Sequence, residues 1–209
     1  KGDRAYGPGV SDMKCGCLQG VYVLKAMEAS GSLKDLKVCL AFNSEEERGS
    51  TSTYPWLEKI GSQAKFCLVL ESARANGARV LTRKGILHYI IDFKGKAAHA
   101  GNNHQDGRNA INEMAYWILQ LAAATDYETG LTVNPGVCCG GTVYNSVAAN
   151  AQLDLDVRIA EKAQADIIEE LLAKLKEHAK AAEIAVDVCA KNKQSPMAAT
   201  SDTAALVAV

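Results

Sequence analysis

The chain lacks an apolar run that approaches the roughly 20 residues needed to span a bilayer, which argues against a membrane helix. It also lacks a basic excess. Its 23 Lys and Arg face 24 Asp and Glu, for a formal net charge of -1, so a generic nucleic-acid or anionic-membrane binder is excluded. No repeat, low-complexity linker or compositional bias points to disorder. The opening residues, Lys1-Gly2-Asp3-Arg4, do not start a secretory leader, and there is no initiating Met. The expectation is a chain that was processed or cut from a longer one. The seven cysteines contain no CxxC pair: Cys15 and Cys17 form a CxC, and Cys138 and Cys139 are adjacent. A cysteine zinc site is not expected, and the odd number suits a reducing compartment, the cytoplasm. Cys39, Cys67 and Cys189 lie in apolar runs and read as small buried hydrophobes.

What is present begins with three consecutive glutamates, Glu45-Glu46-Glu47, at the end of the apolar run Val38–Phe42. Carboxylates crowded at the mouth of a strand repel one another, and a bound cation is the usual remedy. A solvated acidic loop is the plain alternative. Upstream, a glycine-rich turn, Tyr6-Gly7-Pro8-Gly9, leads into a helix from Met13 to about Ala29. Downstream come a short helix, Tyr54–Ile60, and a second apolar strand, Phe66–Leu70, with Glu71 directly after it. Apolar strands alternating with helices predict a βαβ sheet buried on both faces.

Beyond about Val80 the pattern changes. Strands are expected at Ile86–Phe93, Val137–Tyr144, Gln152–Ile159 and Ile184–Cys189, with helices at Asp106 to about Ala124 and Ala163 to about Ala182. Leu153, Leu155, Val157 and Ile159 alternate with Gln152, Asp154, Asp156 and Arg158, the signature of a strand with one wet face. The order β-α-β-β-α-β is ferredoxin-like.

Ligands of open α/β sheets bind beyond the carboxyl ends of strands. Glu46, Glu47 and Glu71 follow such strands, and Asp12 ends a turn that enters a helix. Carboxylates converging from three segments imply cations or a costly cluster of unneutralised charge.

Tyr6-Gly7-Pro8-Gly9-Val10-Ser11-Asp12-Met13-Lys14 together with Ser44-Glu45-Glu46-Glu47-Arg48-Gly49-Ser50 resembles the di-zinc metallopeptidases and amidohydrolases. That family includes glutamate carboxypeptidase (the nearest by eye), acetylornithine deacetylase, succinyl-diaminopimelate desuccinylase and the aminoacylases. Lys94-Gly95-Lys96-Ala97-Ala98-His99-Ala100-Gly101, Gly107-Arg108-Asn109-Ala110, Gly141-Thr142-Val143-Tyr144-Asn145 and Asp156-Val157-Arg158 match motifs of its lid domain. The resemblance covers essentially the whole chain. It implies an α/β fold: an incomplete zinc-exopeptidase-like mixed sheet with helices, carrying an inserted ferredoxin-like βαββαβ lid. The expected domains are 1–83, catalytic and metal-binding; 84–190, lid and dimerisation; and 191–209, a return to the catalytic domain.

The resemblance also implies a role for each matching residue. Asp12 would bridge two zinc ions, Glu47 and Glu71 would each ligate one, and Glu46 would be the general base. The Asp12-Met13 peptide is a candidate for a cis bond. His99 would stabilise the oxyanion in a partner subunit's site, and Asn145 and Arg158 would hold the substrate's carboxylate. The residues alone also allow plainer readings: a turn histidine for His99, a cross-strand partner for Arg158, a strand terminator for Asn145 and a surface residue for Glu71. His88 is expected to be structural and His178 to lie on a solvated helix face.

Two zinc-ligating histidines of the family have no counterpart, because His88, His99, His104 and His178 all fall in the lid-like region. His104 and Ala148 stand where relatives often carry proline, which bears on loop shape. The implied function is a metal-dependent hydrolase that cleaves a small peptide or N-acyl amino acid beside a free carboxylate and dimerises through its lid. The two zincs are expected in the complete enzyme; this chain is expected to be inactive alone and open to being metal-free. Two rivals remain: a non-catalytic dimer-forming module that has lost its metals, and a cysteine-based redox protein resting on Cys15 and Cys17.

Overall fold

A computed structural model describes residues 2–207, and the chain divides into two compact units, Lys1–Val80 and Leu81–Val209. Among the described residues, all the buried apolar side chains belong to the second unit. Its strands are β1 (Gly85–Lys94), β2 (Thr132–Gly140), β3 (Asn150–Ile159) and β4 (Ala185–Gln194), all antiparallel in the order β2-β3-β1-β4. Helices α3 (Ala110–Ala123) and α4 (Ala163–Ala181) supply the two crossovers. This is the ferredoxin-like arrangement expected from the element order.

Period-2 alternation decides which face is covered. Leu87, Tyr89, Ile91 and Phe93 of β1, with Leu153, Leu155, Val157 and Ile159 of β3, point to the buried side. Met114, Trp117 and Leu121 of α3 and Ile168, Leu172 and Leu175 of α4 complete that core. Trp117 meets Phe93 edge-on, with ring centroids 5.2 Å apart and planes at 88°. Asn109 starts α3 by accepting from the backbone N–H groups of Ile111 and Asn112. Pro135 lacks a donor and is tolerated because β2 is an edge strand, with its register shifting just beyond that residue. β2 starts at Thr132, five residues before the expected strand, and β4 runs to Gln194, past the expected end of the lid at 190.

The first unit contains α1 (Cys15–Ala29) and α2 (Tyr54–Gly61). Gly16 and Gly20, one turn apart on α1, are buried and let its backbone lie against residues 40 and 70. A Cβ on Gly16 would stand 1.8 Å from the Leu70 carbonyl oxygen. The expected strands Val38–Phe42 and Phe66–Leu70 carry no sheet pairing. A strand is stabilised by its neighbour's hydrogen-bond ladder, and among the described residues of this unit no neighbouring strand exists. Leu68 and Val69 are accordingly 70% and 75% exposed. Cys39 and Cys67, expected to be buried, are exposed for the same reason, and Cys189 is half-buried on the edge strand β4. A last helix, α5 (Ser201–Val207), closes the described chain. No helix among the described residues is long and apolar enough to cross a membrane.

Candidate active site

Gly9, at φ +71°, turns the chain into the kinked segment Val10–Lys14, whose Asp12–Met13 peptide is cis. Ser11 and Ser72 tie this turn to the segment carrying Glu71: their hydroxyls are 3.0 Å apart, and Ser72 Oγ donates to the Ser11 carbonyl at 2.6 Å. The close approach of α1 to Leu70 acts on the same two segments. Asp12 and Glu71 thus come together from positions 59 residues apart in the sequence.

Glu46 and Glu47 lie in one tight turn, Glu46–Arg48, ended by Gly49 at φ +83°. Their neighbour Glu45 has a different task. Its Oε2 accepts from the Ser52 N–H and hydroxyl, both at 2.9 Å, and from the Thr53 N–H at 3.1 Å, which fixes the entry to α2. Donation from the Ser52 hydroxyl is the main cause holding the Glu45 carboxyl below its ordinary range, against a smaller opposing effect of desolvation.

Glu71 shows the opposite behaviour. Desolvation is the main cause pushing its carboxyl up, followed by the negative charges of Asp12, Glu46 and Glu47. Asp12, Glu46 and Glu47 therefore lie within electrostatic reach of Glu71 on the first unit. Among the described residues, however, no group of three or more His, Cys, Asp or Glu could hold a metal ion. All four histidines belong to the second unit. The acidic set fits part of the oxygen donor shell of a divalent cation and does not complete it.

In the second unit, His99 and Asn145 occupy adjoining loops at one end of the sheet. His99 pairs with Ser146 in an isolated bridge, and Ala100 N–H donates to the Asn145 carbonyl at 3.0 Å. His99 Nδ1 accepts from the N–H groups of Gly101 (3.1 Å) and Asn102 (3.2 Å). In the neutral ring this puts the proton on Nε2, leaving a donor facing outward from an exposed loop. Arg158 lies elsewhere. It sits near the far end of β3, paired with Ile86 and Thr132, whereas Asn150 at the near end pairs with Lys94. Eight strand residues at about 3.4 Å each separate the two ends by roughly 27 Å. Asn145 and Arg158, both expected to hold the substrate's carboxylate, therefore lie toward opposite ends of one sheet, with His99 beside Asn145.

His88 hydrogen-bonds Asp154 Oδ1 at 2.6 Å on the uncovered face of the sheet, a structural role as expected. His178 is exposed on α4, as expected, but it also makes a contact the sequence did not suggest. Its Nδ1 lies 2.9 Å from Oε1 of buried Glu113, which also accepts from Trp117 Nε1 at 2.9 Å, and its ring stacks on Tyr116. Helix periodicity gave no sign of this, because Glu113 lies on the sequence-distant α3.

Residues 81–183 match the family model described as the peptidase dimerisation domain. They are an M20-type peptidase dimerisation domain. The chain is 30% identical to carboxypeptidase G2 of Pseudomonas sp. (strain RS-16) over 167 residues, covering 79% of this chain and 40% of that protein. It is 35% identical over 103 residues to a p-aminobenzoyl-glutamate hydrolase homolog of Haemophilus influenzae, covering 49% of this chain and 24% of that protein. The crystal structure of the aminobenzoyl-glutamate utilization protein from Klebsiella pneumoniae matches with a TM-score of 0.51 and 28% identity, over 56% of this chain and 30% of that one. The kinship with peptidases and amidohydrolases read from the motifs is thereby shown. The chain spans well under half the length of these relatives.

Proposed function

We propose that this chain is part of a metal-dependent hydrolase that cleaves an amide bond beside a free carboxylate. The observation that carries the reading is the gathering of Asp12, Glu46 and Glu47 around Glu71, where every charge acting on the Glu71 carboxyl is negative. Such a cluster is stabilised by a cation. Asp12, Glu47 and Glu71 are the residues that would hold zinc ions, with further ligands from polypeptide outside this chain. When bound, the metals would supply an acidified water and a polarised carbonyl. Glu46 accepts the proton of the attacking water and returns it to the leaving amine.

In the second unit, Arg158 recognises the substrate's carboxylate, since its planar fork can pair both oxygens. His99 donates from Nε2 to the oxyanion, and Asn145 orients the substrate. The roughly 27 Å between the two ends of β3 keeps Arg158 and His99 of one copy from touching one small molecule. A homodimer through the lid, with His99 and Asn145 supplied by the second copy, resolves this. Two of the relatives are named for aminobenzoyl-glutamate, an aromatic amide of an amino acid with free carboxylates, so we assign this chain's parent to N-acyl amino acids or small peptides. All seven cysteines are free, which suits the cytoplasm.

The incomplete ligand set favours a second reading, a lid-bearing module that dimerises without catalysis. The two are separated by metal analysis and p-aminobenzoyl-glutamate hydrolysis, comparing the 209-residue chain with a longer chain carrying the flanking sequence. The hydrolase reading expects two zincs and turnover in the longer chain only. A longer chain that is metal-free and inert overturns it in favour of the second.

A further inference from the structure

The uncovered face of the lid sheet carries a short polar ladder. Register places Thr132, Arg158 and Ile86 side by side on β2, β3 and β1, and Asn134, Asp156 and His88 in the next row. Directly opposed residues of antiparallel strands share a face, and residues i and i+2 of one strand do too. Asp156 Oδ2 accepts from Arg158 Nε at 2.8 Å. His88 would otherwise compete for Asp156, which it opposes, but it is engaged by Asp154 at 2.6 Å. Asp156 is thus left to Arg158.

The consequence lies in which edge of the guanidinium is used. Holding Nε fixes the arginine's side edge, and among the described residues Nη1 and Nη2 have no protein partner. The end-on fork is therefore pre-aimed. Across the strand pair, the Thr132 hydroxyl also has no partner among the described residues and stands opposite Arg158. Partly exposed Ile86 forms an apolar floor on the other side.

We propose that Asp156 is a positioning residue for Arg158, and that Thr132 adds a hydroxyl donor to the carboxylate that Arg158 grips. The two complete a carboxylate subsite on the open sheet face, beside apolar carbon lying on Ile86. This rests on the reading of Arg158 as the carboxylate-binding group. Pre-organisation is the physical gain: a fixed fork loses less side-chain freedom on binding than a free one.

The test follows the Arg158 Nε–Hε resonance of the 209-residue chain while hippurate is added, with hippuramide as the control lacking the carboxylate. The wild-type signal is expected to shift saturably with hippurate only. D156A is expected to weaken binding about tenfold and T132V about fivefold, each the loss of one hydrogen bond involving a charged partner. D156E should restore most of the D156A loss, and thermal stability should not change in any of the three. Absence of a saturable wild-type shift, or hippurate affinity retained in R158A by isothermal titration calorimetry, refutes the underlying assignment of Arg158. Affinity abolished in R158A but intact in D156A and T132V overturns this inference alone. A D156A loss accompanied by a lowered Tm and no rescue by D156E makes Asp156 structural and overturns it as well.

Discussion

Replacing Trp117 by alanine should cost the second unit a large part of its stability. Trp117 is fully buried, meets Phe93 edge-on and donates its indole N–H to Glu113. Burying an indole of about 200 Å² at about 25 cal/mol/Å² is worth roughly 5 kcal/mol, and the edge-to-face contact adds about 1. Denatured chains already bury part of that surface, and large-to-small changes at aromatic sites cost about 3–5 kcal/mol, which we take as the expected loss. Against a domain stability of about 5–15 kcal/mol this is severe. Trp117→Phe keeps most of the packing but removes the donor to Glu113, leaving that buried carboxylate to His178 alone, and should cost about 1–2 kcal/mol. Urea unfolding followed by far-UV circular dichroism is the assay, because removing Trp117 leaves Trp56 of the first unit as the only fluorophore of its kind. With a slope of about 2 kcal/mol/M, the midpoint of the alanine variant should fall by about 2 M. A fall below about 0.5 M would refute the placement of Trp117 at the centre of this core.

Two further predictions concern the first unit. Glu71 has a raised folded-state pKa, so ionising it opposes folding: the penalty is absent below the unfolded pKa, grows as pH rises, and is complete above the folded pKa. Glu71→Gln should therefore raise metal-free stability at neutral pH and not at acid pH, and should weaken stabilisation by added zinc; thermal melts at two pH values would show either failing. Gly16→Ala places a methyl against the backbone carbonyl of Leu70, which cannot rotate away as a side chain could. Overpacking of this kind costs about 1–3 kcal/mol, and hydrogen exchange of the α1 amides should speed up; unchanged protection would mean that α1 does not rest on residue 70.

The alternation of Gln152–Ile159 and the helical spacing of Met114, Trp117 and Leu121 were sufficient to read β3 and α3 and to assign the inward faces, because periods of 2 and 3.6 are local properties of the chain. The glycine turn before Asp12, the glutamate triplet and the His99 and Arg158 motifs likewise carried the kinship, since each occupies a few consecutive residues. Pairing decided the rest. Val38–Phe42 and Phe66–Leu70 have strand composition but no ladder, as a strand depends on a neighbour that its own residues do not encode. The use of Glu45 as a loop anchor, the attachment of His178 to Glu113, and the hold of Asp156 on Arg158 each require atoms brought close by folding. The placement of His99 and Arg158 at opposite ends of one sheet is of the same kind. Register between β1, β2 and β3 sets it, and register is a non-local outcome of packing one face against two helices.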